Sequence, residues 1–487
     1  MEMQDLVRKL DIGNSVAEFD EALERYFVET QTFRALIEAR ADIVAGDKGT
    51  GKTAIYRILR KRYAKLPELA KVEIVTAFNL SGNPVFQRLA QEEALTEGQY
   101  GTVWKAYVLS LVGNWLLGLY EGNFSAVLRE LDDLLSRTGL RAADDSPQTI
   151  FSKITNAVAR FLRPSAAGVA FTLSETGIPI ITPRVEFGAA AVSAAAATIP
   201  HEEALGLLNR CLEEADLSTW VVLDRLDEAF QGFPMTEIPA LRALFRAYLD
   251  LLEFDRIRVK IFVRRDLFRK IIRGGFVNLT HINARKIEIV WDEDDLLNLL
   301  CRRIRESSDL LSDLRASGGD DQQVFAAVFP EQVTVGQRRP TTWAWMMSRI
   351  RDGNQVKPPR NLIDLVSKAR EAQLRREERD ARPYEAGVPV IEGDSLRRAL
   401  ARLSAERVED TLLAEAGDSA SLIERFRGSK AEHNAVSLAG LLGVAEAQVA
   451  SAIKPLVELG FLEPIGESYK IPALYRDGLG ITQGKAF

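Results

Sequence analysis

Eight consecutive residues carry the most specific chemistry in the chain. Gly46, Asp47, Lys48, Gly49, Thr50, Gly51, Lys52 and Thr53 satisfy the pattern G-x-x-x-x-G-K-[ST] at every position. Glycines let successive backbone N–H groups converge on a phosphate with no Cβ in the way. A helix starting at such a turn presents its positive end to the same anion. Lys52 is expected to reach the β- and γ-phosphates and the Thr53 hydroxyl to ligate Mg²⁺, with Ala54 closing the loop. The pattern predicts binding of ATP and Mg²⁺, followed by slow hydrolysis.

A phosphate loop of this kind needs a second carboxylate directed at the metal, at the end of a nearby apolar strand. The run WVVLD supplies it in Asp224. Asp227 and Glu228 lie just beyond, where one of them could orient and deprotonate the attacking water. Glu228 is the first choice and Asp227 the second, because Arg225 stands where many ATPases carry the catalytic acid. Enrichment of acids at a helix N-terminus is the ordinary alternative for this cluster. Phe262, Val263, Arg264, Arg265 and Asp266 end another apolar run. In a sheet of this order its tip lies beside the phosphate loop, so Arg264 is expected to sense the γ-phosphate, unless it only pairs with Asp266. Pro358, Pro359, Arg360 and Asn361 open a later helix from which Arg360 could reach the nucleotide as part of a lid.

Several elements must position these groups. Strand-length apolar runs at Ala41–Ala45, Val72–Phe78, Thr219–Leu223, Val259–Val263 and Ile287–Val290 are mostly separated by helical patterns, the mark of a parallel sheet covered by helices. The first run feeds the glycine turn, and a helical period follows from Lys52 to about Tyr63. Between Thr53 and Asp224 the chain is far longer than two βαβ steps of ~60 residues require. An insertion of about 83–200 is therefore expected, helical at first (Trp104–Tyr120, Ala126–Ser136, Ile150–Leu162). It then reads as a β-hairpin, Gly168–Leu173 with Ile178–Phe187, followed by an Ala-rich run. The apolar stretch Val103–Tyr120 contains Lys105, Asn114 and two glycines, and reads as a buried helix rather than a membrane span. Past Trp291 the pattern is helical, with Asp292 as an N-cap. A charged stretch ending in two prolines suits a solvated helix end and linker. The order helix, turn at Gly443, helix, Gly460, turn at Gly466, strand is that of a winged helix-turn-helix. The expected domains are 1–291 (α/β, with the insertion), 292–381 (helical lid), 382–394 (linker) and 395–487 (winged helix).

Composition bounds the rest. A chain of 487 residues suggests roughly three domains of ~150 residues. With 46% hydrophobic and 27% charged residues it is globular rather than disordered or fibrous. Two distant cysteines and three scattered histidines exclude a disulfide framework and argue against a zinc site. The first residues lack a secretion-signal pattern, so a cytoplasmic location is expected, with no membrane partner. The net charge of −6 gives no global basic field.

FVET (27–30), GDKGTGKTAI, VVLDRLDE, IFVRRDLF, EIVWDEDDLLNLL and PPRNLIDLVSKAREA together resemble the AAA+/STAND P-loop ATPases, especially a bacterial group known simply as P-loop ATPases, many ending in a winged helix. The resemblance covers most of 17–372 apart from the insertion, and more loosely 395–481. It implies Gly46–Thr53 as phosphate loop, Asp224 as Mg²⁺ ligand, Asp227 or Glu228 as hydrolytic acid, Arg264 as first sensor and Arg360 as second. Arg269 and Arg273 are candidates for an intersubunit arginine finger. It further implies homo-oligomeric self-assembly and switch-like use of ATP on a protein partner, in bacterial stress signalling or anti-phage defence. Two alternatives stand beside this: a DNA-associated ATPase of origin-recognition or loader type, and an ATP-gated scaffold with negligible turnover. From Ile391 onward eleven Lys and Arg face fourteen Asp and Glu, and the presumed recognition helix offers Lys454 as its one base, so DNA is not the favoured partner.

Overall fold

Short runs rich in Val and Ile, buried on both faces at the centre of the sheet and partly buried at its edges, pair in parallel as such runs do when helices cover a sheet. The strands are β1 (Ile43–Gly46), β2 (Val72–Thr76), β3 (Gly177–Pro179), β4 (Thr198–Pro200), β5 (Ser218–Leu223), β6 (Ile257–Arg264) and β7 (Lys286–Glu288). Five of them form one sheet in the order β2-β5-β6-β1-β7, every adjacent pair parallel. The computed structural model describes residues 1–77, 95–142, 146, 147, 150, 154, 177–179, 198–226, 234–273 and 275–486. They divide into two compact units, one comprising Glu29–Gly46 with Lys52–Ile289 and the other Met1–Val28, Asp47–Gly51 and Val290–Phe487.

In the first unit the sheet packs against helices that include Lys52–Arg62, Glu97–Leu119, His201–Glu214 and Pro234–Leu251, with Ala126–Arg137 packed on the second and third of these. Glu97–Leu119 opens with a reciprocal capping box between Thr96 and Gln99 and buries most of its middle. Its two polar groups that set it apart from a membrane span are both satisfied. Lys105 pairs with Asp250 at 2.6 Å. Asn114 donates to the Ser110 and Leu140 carbonyls and accepts from Arg141 and the Ala142 amide. No single helix among the described residues is long and apolar enough to cross a membrane.

Inside the expected insertion, Ile178 lies on a strand, and β3 pairs antiparallel with β4, Ile178 opposite Ile199. The segments 168–173, 180–187 and the Ala-rich run as far as 197 lie outside the described residues, as does Ile150–Leu162 except Ile150 and Ile154.

The second unit is built on the helices Glu293–Arg305, Asp321–Val328, Thr342–Ile350, Pro359–Arg379 and Gly393–Arg407. Asp292 caps the first of them, accepting from the Asp295 amide at 2.6 Å. Met1–Val28, assigned from sequence to the α/β domain, packs here instead. Arg303, 4% exposed, donates to Asp20 at 2.9 Å and to the Ile12 carbonyl, and its guanidinium lies 4.3 Å from the centre of the Tyr26 ring. Arg370 donates to the Val7 and Arg8 carbonyls. The helix end and linker expected to be solvated are mostly exposed, but they also hold a buried joint. Gln373 and Glu377 are fully buried, and Gln373 donates to Glu377 and accepts from Ser395. Arg382 pairs with Glu377 and Glu392, and backbone bonds tie Met3 to Arg382 and Tyr384 to Met1. A buried carboxylate must be paired, and this pairing fixes residues that charge content alone marks as surface.

The unit ends in β8 (Lys430–His433), the helices Ala435–Leu442 and Val449–Glu458, β9 (Glu463–Ile465), β10 (Ser468–Lys470) and β11 (Thr482–Lys485), in a sheet of order β11-β8-β10-β9. Gly443, at φ +65°, ends the first of these helices in the left-handed conformation that glycine supplies.

Candidate nucleotide site

β1 is buried along its whole length and delivers the chain to the glycine turn. Gly49 and Gly51 sit at φ +78° and +102°, which residues with a Cβ rarely adopt. Thr50 braces the turn by donating its hydroxyl to the Asp47 carbonyl at 2.8 Å. The helix Lys52–Arg62 starts at once, burying Ile55, Tyr56, Ile58 and Leu59 and leaving its N-terminus at the turn. Lys52 extends back along the turn to donate to the Gly46 carbonyl at 2.9 Å. Lys52, Thr53 and Ala54 are all partly exposed.

Asp224 directly follows β5 and is 5% exposed. Burial raises the Tyr56 phenol above its usual pKa, and the negative charge of Asp224 adds to that rise while Arg60 opposes it. Asp224 is therefore within electrostatic reach of Tyr56, on the helix that carries Lys52 and Thr53. Arg225 next to it holds φ +59°, a strained conformation for a side-chain-bearing residue of the kind that collects at working sites. A hydroxyl and a carboxylate are the hard oxygen donors that Mg²⁺ takes, so Thr53 and Asp224 suit that ion. Asp227 and Glu228 lie outside the described residues.

β6 separates β5 from β1, and its last residue, Arg264, is in register with Gly46. The position beside the turn is the one expected; the side chain is already engaged. Its Nε and Nη2 meet the two Asp266 oxygens at 3.0 and 3.1 Å, a bidentate pair. Burial alone would raise the Asp266 carboxyl, but the Arg264 guanidinium holds it below the usual value. Arg269 and Arg273 are exposed.

In the other unit, the segment Asp47–Gly51 touches residues that sequence reading partly missed. Arg360 was expected near the nucleotide; its amide donates to the Gly49 carbonyl at 3.4 Å. Trp291 Nε1 donates to the Thr50 carbonyl at 2.8 Å, and Lys48 pairs with Glu415 at 2.5 Å. These partners lie hundreds of residues away, and no local signal marks them. A Cβ built on Gly49 would stand 3.0 Å from the Arg360 Cβ and 3.4 Å from the Pro358 Cβ, neither of them a flexible chain end. Gly49→Ala therefore adds about 1–3 kcal/mol of strain to the turn. We expect ATP affinity to fall roughly tenfold and the melting temperature to drop by a few degrees, in a nucleotide titration beside a melting curve. Undiminished affinity would mean that the turn does not hold this shape around nucleotide.

No family model matches the chain. The putative transposon gamma-delta 80.3 kDa protein of Escherichia coli strain K12 is 23% identical over 312 residues, 63% of this chain and 41% of that protein. The match thus spans less than half of the relative's length. Two solved structures are similar at low TM-score. The Aeropyrum pernix ORC1 protein in complex with DNA has a TM-score of 0.34 at 14% identity, with 96% of each chain covered. The Aeropyrum pernix ORC2 protein in its ADPNP-ADP complexes also scores 0.34, at 13% identity over 95% of this chain and 91% of that one. The fold follows from the geometry itself: a parallel sheet with GDKGTGKT between its β1 strand and the next helix, and a buried aspartate at the end of β5, is a P-loop NTPase core.

Proposed function

We propose that the chain binds ATP with Mg²⁺ at Gly46–Ala54 and hydrolyses it slowly, as a nucleotide switch of the AAA+ type. The observation that carries this is the complete G-x-x-x-x-G-K-T run at the end of β1, on a sheet whose β5 leads directly into Asp224 and whose β6 ends in Arg264. Thr53 and Asp224 would hold the metal, which neutralises phosphate charge when bound. Lys52 would meet the β- and γ-phosphates, and Glu228 or Asp227 would orient the water. Arg264 would sense the γ-phosphate by loosening its hold on Asp266, and Arg360 would act as the second sensor.

In this proposal the elements from β8 to β10 form a winged helix, ATP drives self-assembly of STAND type, and the setting is bacterial stress or anti-phage defence. The output divides into two readings. The curated relative is described as a transposon protein, which brings a DNA-associated role forward. The protein-partner reading rests on the acidic balance of the C-terminal residues. Particle mass with ATP·Mg²⁺, ADP or no nucleotide, in wild type and Lys52→Ala, tests the switch. A larger assembly is expected with ATP and wild type alone. One mass in every state, from protein shown to bind ATP, would remove self-assembly. Salt-dependent binding to duplex DNA separates the two outputs.

A further inference from the structure

Far along the chain from the phosphate loop, guanidinium groups gather without matching carboxylates. A cavity of about 420 Å³ in the C-terminal unit is lined by Thr334, Arg339, Trp345, Arg349, Arg397 and Asp477, among others. That size falls within the range of small-ligand sites. Arg397 is shared between Asp394 at 3.1 Å, the Val333 carbonyl and the Thr334 hydroxyl. Arg349 bonds only neutral groups, Ser348 Oγ at 2.8 Å and the Trp345 carbonyl, and lies over the Trp345 ring at 4.7 Å. Arg339 is exposed and makes no ion pair among the described residues. Among the described residues, then, two of the three guanidiniums have no carboxylate partner, and Asp477 is the one acid on the cavity wall.

The arrangement is electrostatically costly as it stands. Burial lowers the Arg349 pKa, and the nearby Arg476 lowers it further while Asp477 opposes. Burial does the same to Arg476. Like charges held together in a half-buried pocket favour an anion, and the fork of arginine suits phosphate oxygens in particular. The volume leaves room for more than a bare phosphate. The adjoining loop exposes Arg338 and Val335, the latter 91% accessible, so a longer ligand could continue past the rim.

We propose that this cavity is a second anion site that binds a phosphoryl group carried on a larger scaffold, supplied either by a free phosphorylated small molecule of nucleotide size or by a nucleic-acid backbone. It is separate from the phosphate loop and does not depend on the ATPase reading.

The test uses the full chain carrying Lys52→Ala, so that the phosphate loop contributes little. AMP, inorganic pyrophosphate and a short DNA duplex are titrated by calorimetry into that protein and into versions with Arg339→Gln, Arg349→Gln or, as a charge control, the exposed Arg379→Gln. At least one probe is expected to bind saturably, and to lose about tenfold or more in affinity with Arg339→Gln and with Arg349→Gln but not with Arg379→Gln. Binding of AMP or pyrophosphate assigns the free source, and binding of DNA alone assigns the backbone. Should Arg349→Gln fail to fold, the exposed Arg339→Gln decides. No binding by any probe, or binding indifferent to Arg339→Gln, overturns the proposal.

Discussion

Replacing Lys52 with Ala should cut ATP turnover by roughly 10²–10³-fold, the usual consequence of deleting one group that stabilises developing charge. The Lys52 ammonium sits at the start of the helix that follows the turn and bonds the Gly46 carbonyl at the end of β1. It is thus held along the path that a phosphate chain takes across such a turn. Its removal takes away the ammonium at the helix start and leaves the turn itself, whose shape comes from Gly49, Gly51 and the Thr50 hydroxyl. Stability should therefore change by less than about 1 kcal/mol, as for a partly exposed side chain outside the core. Asp224→Asn should lower turnover comparably and weaken its Mg²⁺ dependence. The variants are compared at saturating ATP with phosphate release as the readout. Wild-type turnover in Lys52→Ala protein of normal stability would place hydrolysis elsewhere.

What could be read from the sequence follows how far each interaction reaches along the chain. The glycine turn, the apolar strands of the sheet and the helix starting at Lys52 are set by neighbouring residues. Their types and spacing specify them directly. The place of Asp224 just past an apolar strand was legible because such a run is also local, and the placement of Arg264 beside the turn followed from strand order. The ion pair from Arg264 to Asp266 was legible too, as the ordinary alternative to a sensor, since the two residues are two apart where β6 passes into the next helix. The docking of Met1–Val28 was not legible. It depends on Arg303 meeting Asp20 and Tyr26 across the length of the chain, and a charged residue on an amphipathic helix gives no sign that it will be buried. The joint around Gln373, Glu377 and Arg382 was hidden for the same reason: a Glu in a charged run is read as solvated until its partner is known. Lys48 with Glu415, and Trp291 with Thr50, add long-range contacts to a turn that sequence alone treats as self-contained.

The largest expected effect on stability belongs to Asp42, just before β1 and so at the end of the strand away from the glycine turn. Asp42 and Lys260 are fully buried side chains 2.7 Å apart. The same carboxylate accepts from Arg285 Nε at 2.8 Å and from the Tyr248 hydroxyl at 3.0 Å. Lys260 also donates to the Ala41 carbonyl and lies 3.9 Å from the centre of the Trp220 ring. Asp42→Ala would leave an ammonium, part of a guanidinium and a phenol buried together without their common acceptor, a loss of about 3–5 kcal/mol. For a unit of this size that corresponds to a fall in melting temperature of roughly 10 °C. The pH dependence has two arms. Burial would raise the Asp42 carboxyl, but Lys260 and Arg285 hold it below its unfolded value. Its contribution is therefore present above the ordinary carboxylate range and disappears as pH falls through the folded pKa. Burial pushes Lys260 down to about 8 against the opposing pull of Asp42, while the unfolded chain titrates near 10.5. Between those values the unfolded state binds the extra proton, so stability rises with pH there. Denaturant unfolding of wild type and Lys260→Met across that window should show the difference moving in favour of wild type as pH increases. A loss under about 1 kcal/mol in Asp42→Ala, or a difference that does not vary with pH, would mean that water reaches this cluster and screens its charges.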